Sequence, residues 1–143
     1  MNRIAIGSLI IGFVAVLVLL VLSFSARSEE TGKGLTEINW VAEDINGRGV
    51  IDYAQTTLLI GPGGAASGSG GCNRFATTAT IAGEKITFKP TAATRMMCAP
   101  AVMDQEQKFF SALEQTRSYT IEAETGKLFF FDKDGKLTAR FAQ

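Results

Sequence analysis

The sequence predicts an α+β, mostly β domain: an antiparallel sheet curled into a partial barrel, with one helix packed at an end or face. Three observations predict it. About eight or nine short segments rich in β-branched and aromatic residues are separated by Gly, Asn and Asp turn signals. One segment, after Pro100, carries apolar residues at helical spacing. The C-terminal part reads as three strands joined by tight turns, a meander.

The first element precedes the domain. From Ile4 to Phe24 there is no charged side chain, and only Ser8 and Ser23 interrupt the apolar run. A helix needs roughly 20 residues to cross a hydrocarbon core of about 30 Å, so this run is long enough to span. It is also longer than the apolar region of a secretory signal, which is about 7–15 residues. Ser23 and Ser25 nevertheless stand at the spacing a signal peptidase uses. The expected organisation is an anchor or signal over residues 1–27, a polar Gly-containing linker over 28–34 and a domain over 35–143. Arg3 before the run and Arg27 and Lys33 after it leave the positive-inside bias thin. A short N-terminal tail normally stays in the cytoplasm, which puts the domain outside.

Within the domain, Trp40, Ala42 and Ile45 mark a first strand that stops at the Asn46-Gly47 turn signal. Strands over Gly49 to Tyr53 and Thr56 to Ile60 are expected next, then the Gly/Ser/Ala run from Gly61 to Gly71. Phe75 to Ile81 turns at Ala82-Gly83 into Lys85 to Phe88. After Pro100, Val102, Glu106, Phe109, Phe110 and Leu113 share one helical face. Asp104 and Glu106 fall in its first turns and Arg117 follows its end, both favourable for the helix dipole. Ser118 to Ala123, Lys127 to Asp132 and Lys136 to Phe141 form the meander, with turns at Thr125-Gly126 and Asp134-Gly135.

Composition narrows the chemistry. The 143 residues contain no histidine, and the formal charge is zero. Beyond Arg27 the acidic residues slightly outnumber the basic ones and no Lys/Arg cluster stands out, so a nucleic-acid partner is not expected. The glycine-rich run lacks the Gly-Lys-Ser/Thr ending of a phosphate loop, and no helical pattern follows it. Glycine in a strand context implies bulges or close backbone packing instead.

The most distinctive residues are Ser69-Gly70-Gly71-Cys72-Asn73-Arg74-Phe75 and Thr94-Arg95-Met96-Met97-Cys98, followed by Glu106, Phe109, Phe110 and Leu113. With Trp40 and the closing Lys127-Leu128-Phe129-Phe130 strand, this order resembles the META-domain (HslJ-like) family over roughly Leu35 to Gln143. Gly71, Cys72, Asn73, Arg74, Phe75, Thr94, Arg95, Met97, Cys98 and Glu106 carry the likeness. The resemblance implies an antiparallel sheet of lipocalin-like topology with one helix. It also implies a small bacterial envelope protein linked to stress and antibiotic tolerance, with no enzymatic activity established. Many members are lipoproteins or secreted, whereas this chain has a plain hydrophobic segment without a nearby cysteine.

Cys72 and Cys98 are the only cysteines. In an oxidising compartment they read as a structural disulfide, worth roughly 3 kcal/mol in the chain-entropy model. A zinc site would lack ligands without histidine, and a catalytic thiol would lack a base. A redox pair would not have the Cys-x-x-Cys spacing. Asn73 reads as a turn residue or a bond to local backbone through its side chain, with ligand contact as the alternative. Arg74 and Arg95 adjoin the cysteines and could form an anion-recognising patch; the plainer reading pairs one of them with Glu106. Phe129, Phe130 and Phe131 form an aromatic run of which part should face inward and part outward as a contact surface.

The expected function is therefore a non-enzymatic, membrane-tethered interaction or stress-tolerance module. It would contact the membrane through residues 4–24 and an envelope protein or component through its surface. No metal, cofactor or catalytic residue is expected. The expected location is the periplasmic face of a bacterial inner membrane, or the periplasm after signal cleavage. A small-ligand-binding barrel is the alternative, and an enzyme would need a cleft around Cys72, Asn73 and Glu106.

Overall fold

The structure, a computed structural model, describes residues 34–143. The anchor or signal, the membrane contact through residues 4–24 and nearly all of the linker lie outside the described residues. Among the described residues no helix is long and apolar enough to cross a membrane.

Alternating side chains build the wall. β1 (Asn39–Ile45) buries Trp40, Ala42 and Ile45, and β3 (Thr57–Ile60) buries Leu58 and Ile60. Between them β2 (Arg48–Gly49) is only two residues long, because the chain turns at Ile51 to Ala54 where a strand to Tyr53 was expected. A short 3-10 turn over Pro62–Gly64 leads into β4 (Ala65–Ser69), so most of the Gly/Ser/Ala run is a strand. β5 (Arg74–Ala82) and β6 (Lys85–Phe88) follow as a hairpin, then the two-residue β7 (Ala92–Ala93). After the single helix α1 (Pro100–Gln115), the meander is β8 (Ser118–Ile121), β9 (Leu128–Phe131) and β10 (Leu137–Ala142).

All pairings are antiparallel, and the ring runs β1-β3-β4-β5-β6-β8-β9-β10 before returning to β1. The barrel is thus closed and eight-stranded, not partial. Closure comes from the last strand pairing the first, with Ala42 opposite Phe141 and Ile45 opposite Ala139. A closed ring leaves no open edge on β1 or β10, and eight strands make an interior that side chains can fill.

Here they do fill it. Trp40, Leu58, Ile60, Ile86, Leu128, Phe130 and Phe141 from the wall meet Phe109, Ala112 and Leu113 from α1 in one cluster. The aromatic rings run in contact as Phe88, Phe130, Phe141, Phe109, Phe75 and Phe110. The expected helical face is therefore the core face. Pro100 opens the helix at a position that needs no N–H partner, and no side chain caps it. Contrary to the dipole reading, its first turn carries no acid. Asp104 instead pairs with Lys108 on the surface. At the other end the expected cation is present: Arg117 Nη1 donates to the carbonyls of Glu114 and Thr116 at 2.7 Å.

Candidate functional site

The site lies where the β4–β5 turn, the segment after β7 and the start of α1 meet. Its centre is Glu106, 4% exposed. One carboxyl oxygen accepts the backbone N–H groups of Cys72 (3.2 Å) and Asn73 (2.5 Å); the other accepts Asn73 Nδ2 at 2.7 Å. Asn73 passes the constraint on. Its Oδ1 accepts the Met96 backbone N–H (2.6 Å) and the Thr94 hydroxyl (2.9 Å), while Nδ2 also reaches the Met96 carbonyl at 3.3 Å. Two side chains thereby join the helix, the β4–β5 turn and the extended segment that follows β7.

The glycines before Cys72 make room for this. A Cβ on Gly70 would lie 2.6 Å from a Glu106 carboxyl oxygen and 2.8 Å from the Phe110 ring, and Gly71 takes φ +112°, a left-handed conformation. Elsewhere in the run the expected close backbone packing is found: a Cβ would fall 2.1 Å from the Ala79 carbonyl oxygen at Gly64 and 2.0 Å from that of Thr57 at Gly68. The preceding helix residue ties a different segment: Gln105 accepts the Ile51 N–H at 2.8 Å and donates to the Ala54 carbonyl and the Thr56 hydroxyl, each at 3.2 Å.

Cys72 and Cys98 form the disulfide, with Cα atoms 5.9 Å apart. The segment from Lys89 to Ala99 therefore lies over the helix as a strap, without a single buried side chain. It is fastened by β7 on β5, by Asn73 and by the disulfide. Between the strap and α1 runs an open groove of about 550 Å³, lined by Thr94, Met96, Met97, Met103, Gln107 and Phe110 among others, with Glu106 and Asn73 also along it. Met97 is 93% exposed and Met96 55% exposed.

Several expectations change. Asn73 does not adopt a left-handed turn and its side chain does not bond local backbone; its partners lie 21 to 33 residues away. Neither Arg74 nor Arg95 pairs with Glu106; its carboxyl oxygens take their hydrogen bonds from the Cys72 and Asn73 backbone N–H groups and the Asn73 side-chain amide. Both guanidinium side chains are on exposed residues, and among the described residues neither makes an ion pair. Phe130 is fully buried beside Phe88 and Phe141, so it cannot be contact surface; Phe129 and Phe131 are half-buried on the other face of β9.

Sequence reading missed Gln105 and Met103. A signal existed for the first: Gln105 and Glu106 are adjacent polar residues in a helix whose neighbours at apolar spacing are buried. Nothing in the sequence placed Met103 across a groove from Met96 and Met97. Chemically, the polar residues form a brace. Among the described residues the thiols are joined and no buried side-chain nitrogen or oxygen lacks a partner. No cluster of metal-ligating His, Cys, Asp and Glu exists there either.

Comparison with known proteins agrees with this fold. No curated protein matches the chain. One solved structure, an NMR structure, is 27% identical, covers 79% of this chain and 94% of its own, and superposes with a TM-score of 0.62. Another, an NMR structure of a protein from Burkholderia xenovorans, is 22% identical, covers 77% and 83% respectively, and shares the fold with a TM-score of 0.61. The model of the META domain matches residues 33–143, the whole of the barrel, its brace and its strap. The chain belongs to the META domain family.

Proposed function

We propose that this protein is a non-enzymatic, membrane-tethered envelope domain that binds an apolar segment of another envelope protein in the groove between the strap and α1. The observation that carries the reading is Met97. Its neighbours are fixed on both sides, Met96 by Asn73 and Cys98 by the disulfide, yet its side chain stands 93% exposed. The brace thus sets two adjacent exposed apolar side chains, Met96 and Met97, side by side along one groove. Methionine suits such a surface because its unbranched thioether repacks around different partners. The hydrophobic run over residues 4–24 supports the tether, and the disulfide supports an oxidising compartment.

A photoreactive residue in place of the exposed Gln107 tests the contact in native membranes. A discrete adduct that disappears with Met97→Asp is expected; no adduct, or one that Met97→Asp leaves untouched, rejects the groove. Intact mass of the protein from the same membranes tests the tether, since a cleaved signal would remove residues 1–25. The groove volume of about 550 Å³ also falls in the range of small-molecule sites, which favours a small-ligand binder as the second reading. That reading gains if a small molecule co-purifies and Met97→Asp releases it.

A further inference from the structure

We infer that Met96 and Met97 are a sulfoxidation site through which an oxidant of the peroxide class turns the apolar methionine lip of the groove polar. The chain has four methionines, and every one after Met1 lines this single groove. Their environments differ in the way selective oxidation requires. Met97 and Met96 are exposed, whereas Met103 is half-buried against Ala54, Cys72 and Val102. No thiol competes among the described residues, because both cysteines are in the disulfide. The thioethers are therefore the accessible oxidisable sulfurs of the domain.

The step balances simply. A sulfur lone pair attacks one peroxide oxygen, an S–O bond forms, and the O–O bond breaks. The departing hydroxide takes the proton of the transferred oxygen and leaves as water. Sulfur is oxidised by two electrons and the peroxide is reduced. The product is a polar sulfoxide, reversible by the two epimer-specific reductases. Asn73 and the disulfide hold the strap backbone on either side of Met97, so the sulfoxide forms on a residue kept at the lip of the groove. There a polar group takes the place of the apolar thioether.

The consequence for binding rests on the groove reading above, so the test has two arms. In the first, the full chain in detergent is treated with hydrogen peroxide and peptides are mapped by mass. Met97 should oxidise fastest, Met96 next, and Met103 at least about fivefold more slowly. Equal rates for Met103 and Met97 overturn the site. In the second, the Gln107 photo-adduct is measured in membranes before and after peroxide. Adduct yield should fall by about threefold or more and return after treatment with the sulfoxide reductases. Whatever its starting yield, the double variant Met96→Leu/Met97→Leu should give the same adduct before and after peroxide. An adduct that survives oxidation in the wild type, or that the double variant also loses, overturns the switch. No adduct even before peroxide overturns the groove reading and the switch with it, while the rate order in the first arm still decides the modification.

Discussion

The β5–β6 hairpin and the strap that follows it are consecutive in the chain but are held in different ways. The hairpin turns Phe75, Ala79, Ile86 and Phe88 into the core, so burial holds it at many points. The strap from Lys89 to Ala99 buries no side chain, and its fastenings are hydrogen bonds and one disulfide. Burial is non-directional and shared, so damage to it spreads. A hydrogen-bonded brace is directional, so damage to it stays where the bond was. The difference predicts which perturbations unfold the barrel and which free only the strap.

Phe109→Ala should have the largest effect. Phe109 is fully buried and touches the rings of Phe75, Phe110 and Phe141, linking helix to wall. Its truncation should cost about 3–5 kcal/mol, read as a lower denaturant midpoint with strap and wall unfolding together. Two separate transitions would show that α1 is not part of the cooperative core. Reduction of Cys72–Cys98 comes next, with a loss of about 3 kcal/mol in global stability. Its local signature should be a rise in amide exchange at Thr94 and Met96 that exceeds the rise the lower global stability imposes on β5 and β6. Exchange rising equally throughout would erase the distinction between strap and wall.

Glu106→Gln sharpens the comparison further. An amide presents an NH₂ group to donors that now meet a carboxyl oxygen, and Asn73 cannot flip, because its Oδ1 is held by Met96 and Thr94. The expected cost is about 2–3 kcal/mol, together with release of the strap at its Asn73 end. Exchange at Met96 unchanged from wild type would mean that the disulfide and β7 position the strap without the brace.

These forces also explain what could be read in advance. Periodicity reports burial, so Trp40, Phe109, Leu113 and the meander strands were legible, as was the single helix. Barrel closure was not, because pairing of β10 with β1 joins the two ends of the domain and leaves no local trace in either strand. The disulfide was readable from the cysteine count together with the expected compartment. The brace was harder, since Asn73 and Glu106 lie 33 positions apart and a buried carboxyl suggests an arginine before it suggests backbone N–H groups. A two-residue strand such as β2 or β7 has too little alternation to show. Phe129-Phe130-Phe131 was readable only as an alternation whose phase the fold had to set, and the fold set it with Phe130 inward.

The smallest predicted effect lies at the closing seam of the wall. The β1 ladder with β10 slips at Ala42 to Asp44, and the intervening Glu43 faces outward there. Lys127 Nζ donates to both its carboxyl oxygens at 3.1 and 2.8 Å, and Arg140 Nε donates at 3.2 Å. The hydrogen bond from Lys127 chiefly holds its carboxyl below the ordinary value of 4.5, against an opposing desolvation and with further attraction from Lys127 and Arg140. Since the folded value is the lower one, this contribution is fully present above about pH 4.5 and is lost as pH falls through the folded value. The triad is partly exposed and screened by salt, so Glu43→Gln should cost no more than about 1 kcal/mol at neutral pH. In denaturant titrations between about pH 3 and 7 the variant should show a shallower acid limb than the wild type. Asp132, also held below its ordinary 3.8 mainly by the backbone N–H groups of Lys136 and Asp134, keeps some acid sensitivity in both proteins. A loss several times larger, carried over to neutral pH and high salt, would mean that Glu43 governs barrel closure itself. The wall would then depend on one directional contact, as the strap does, and the contrast between them would fail.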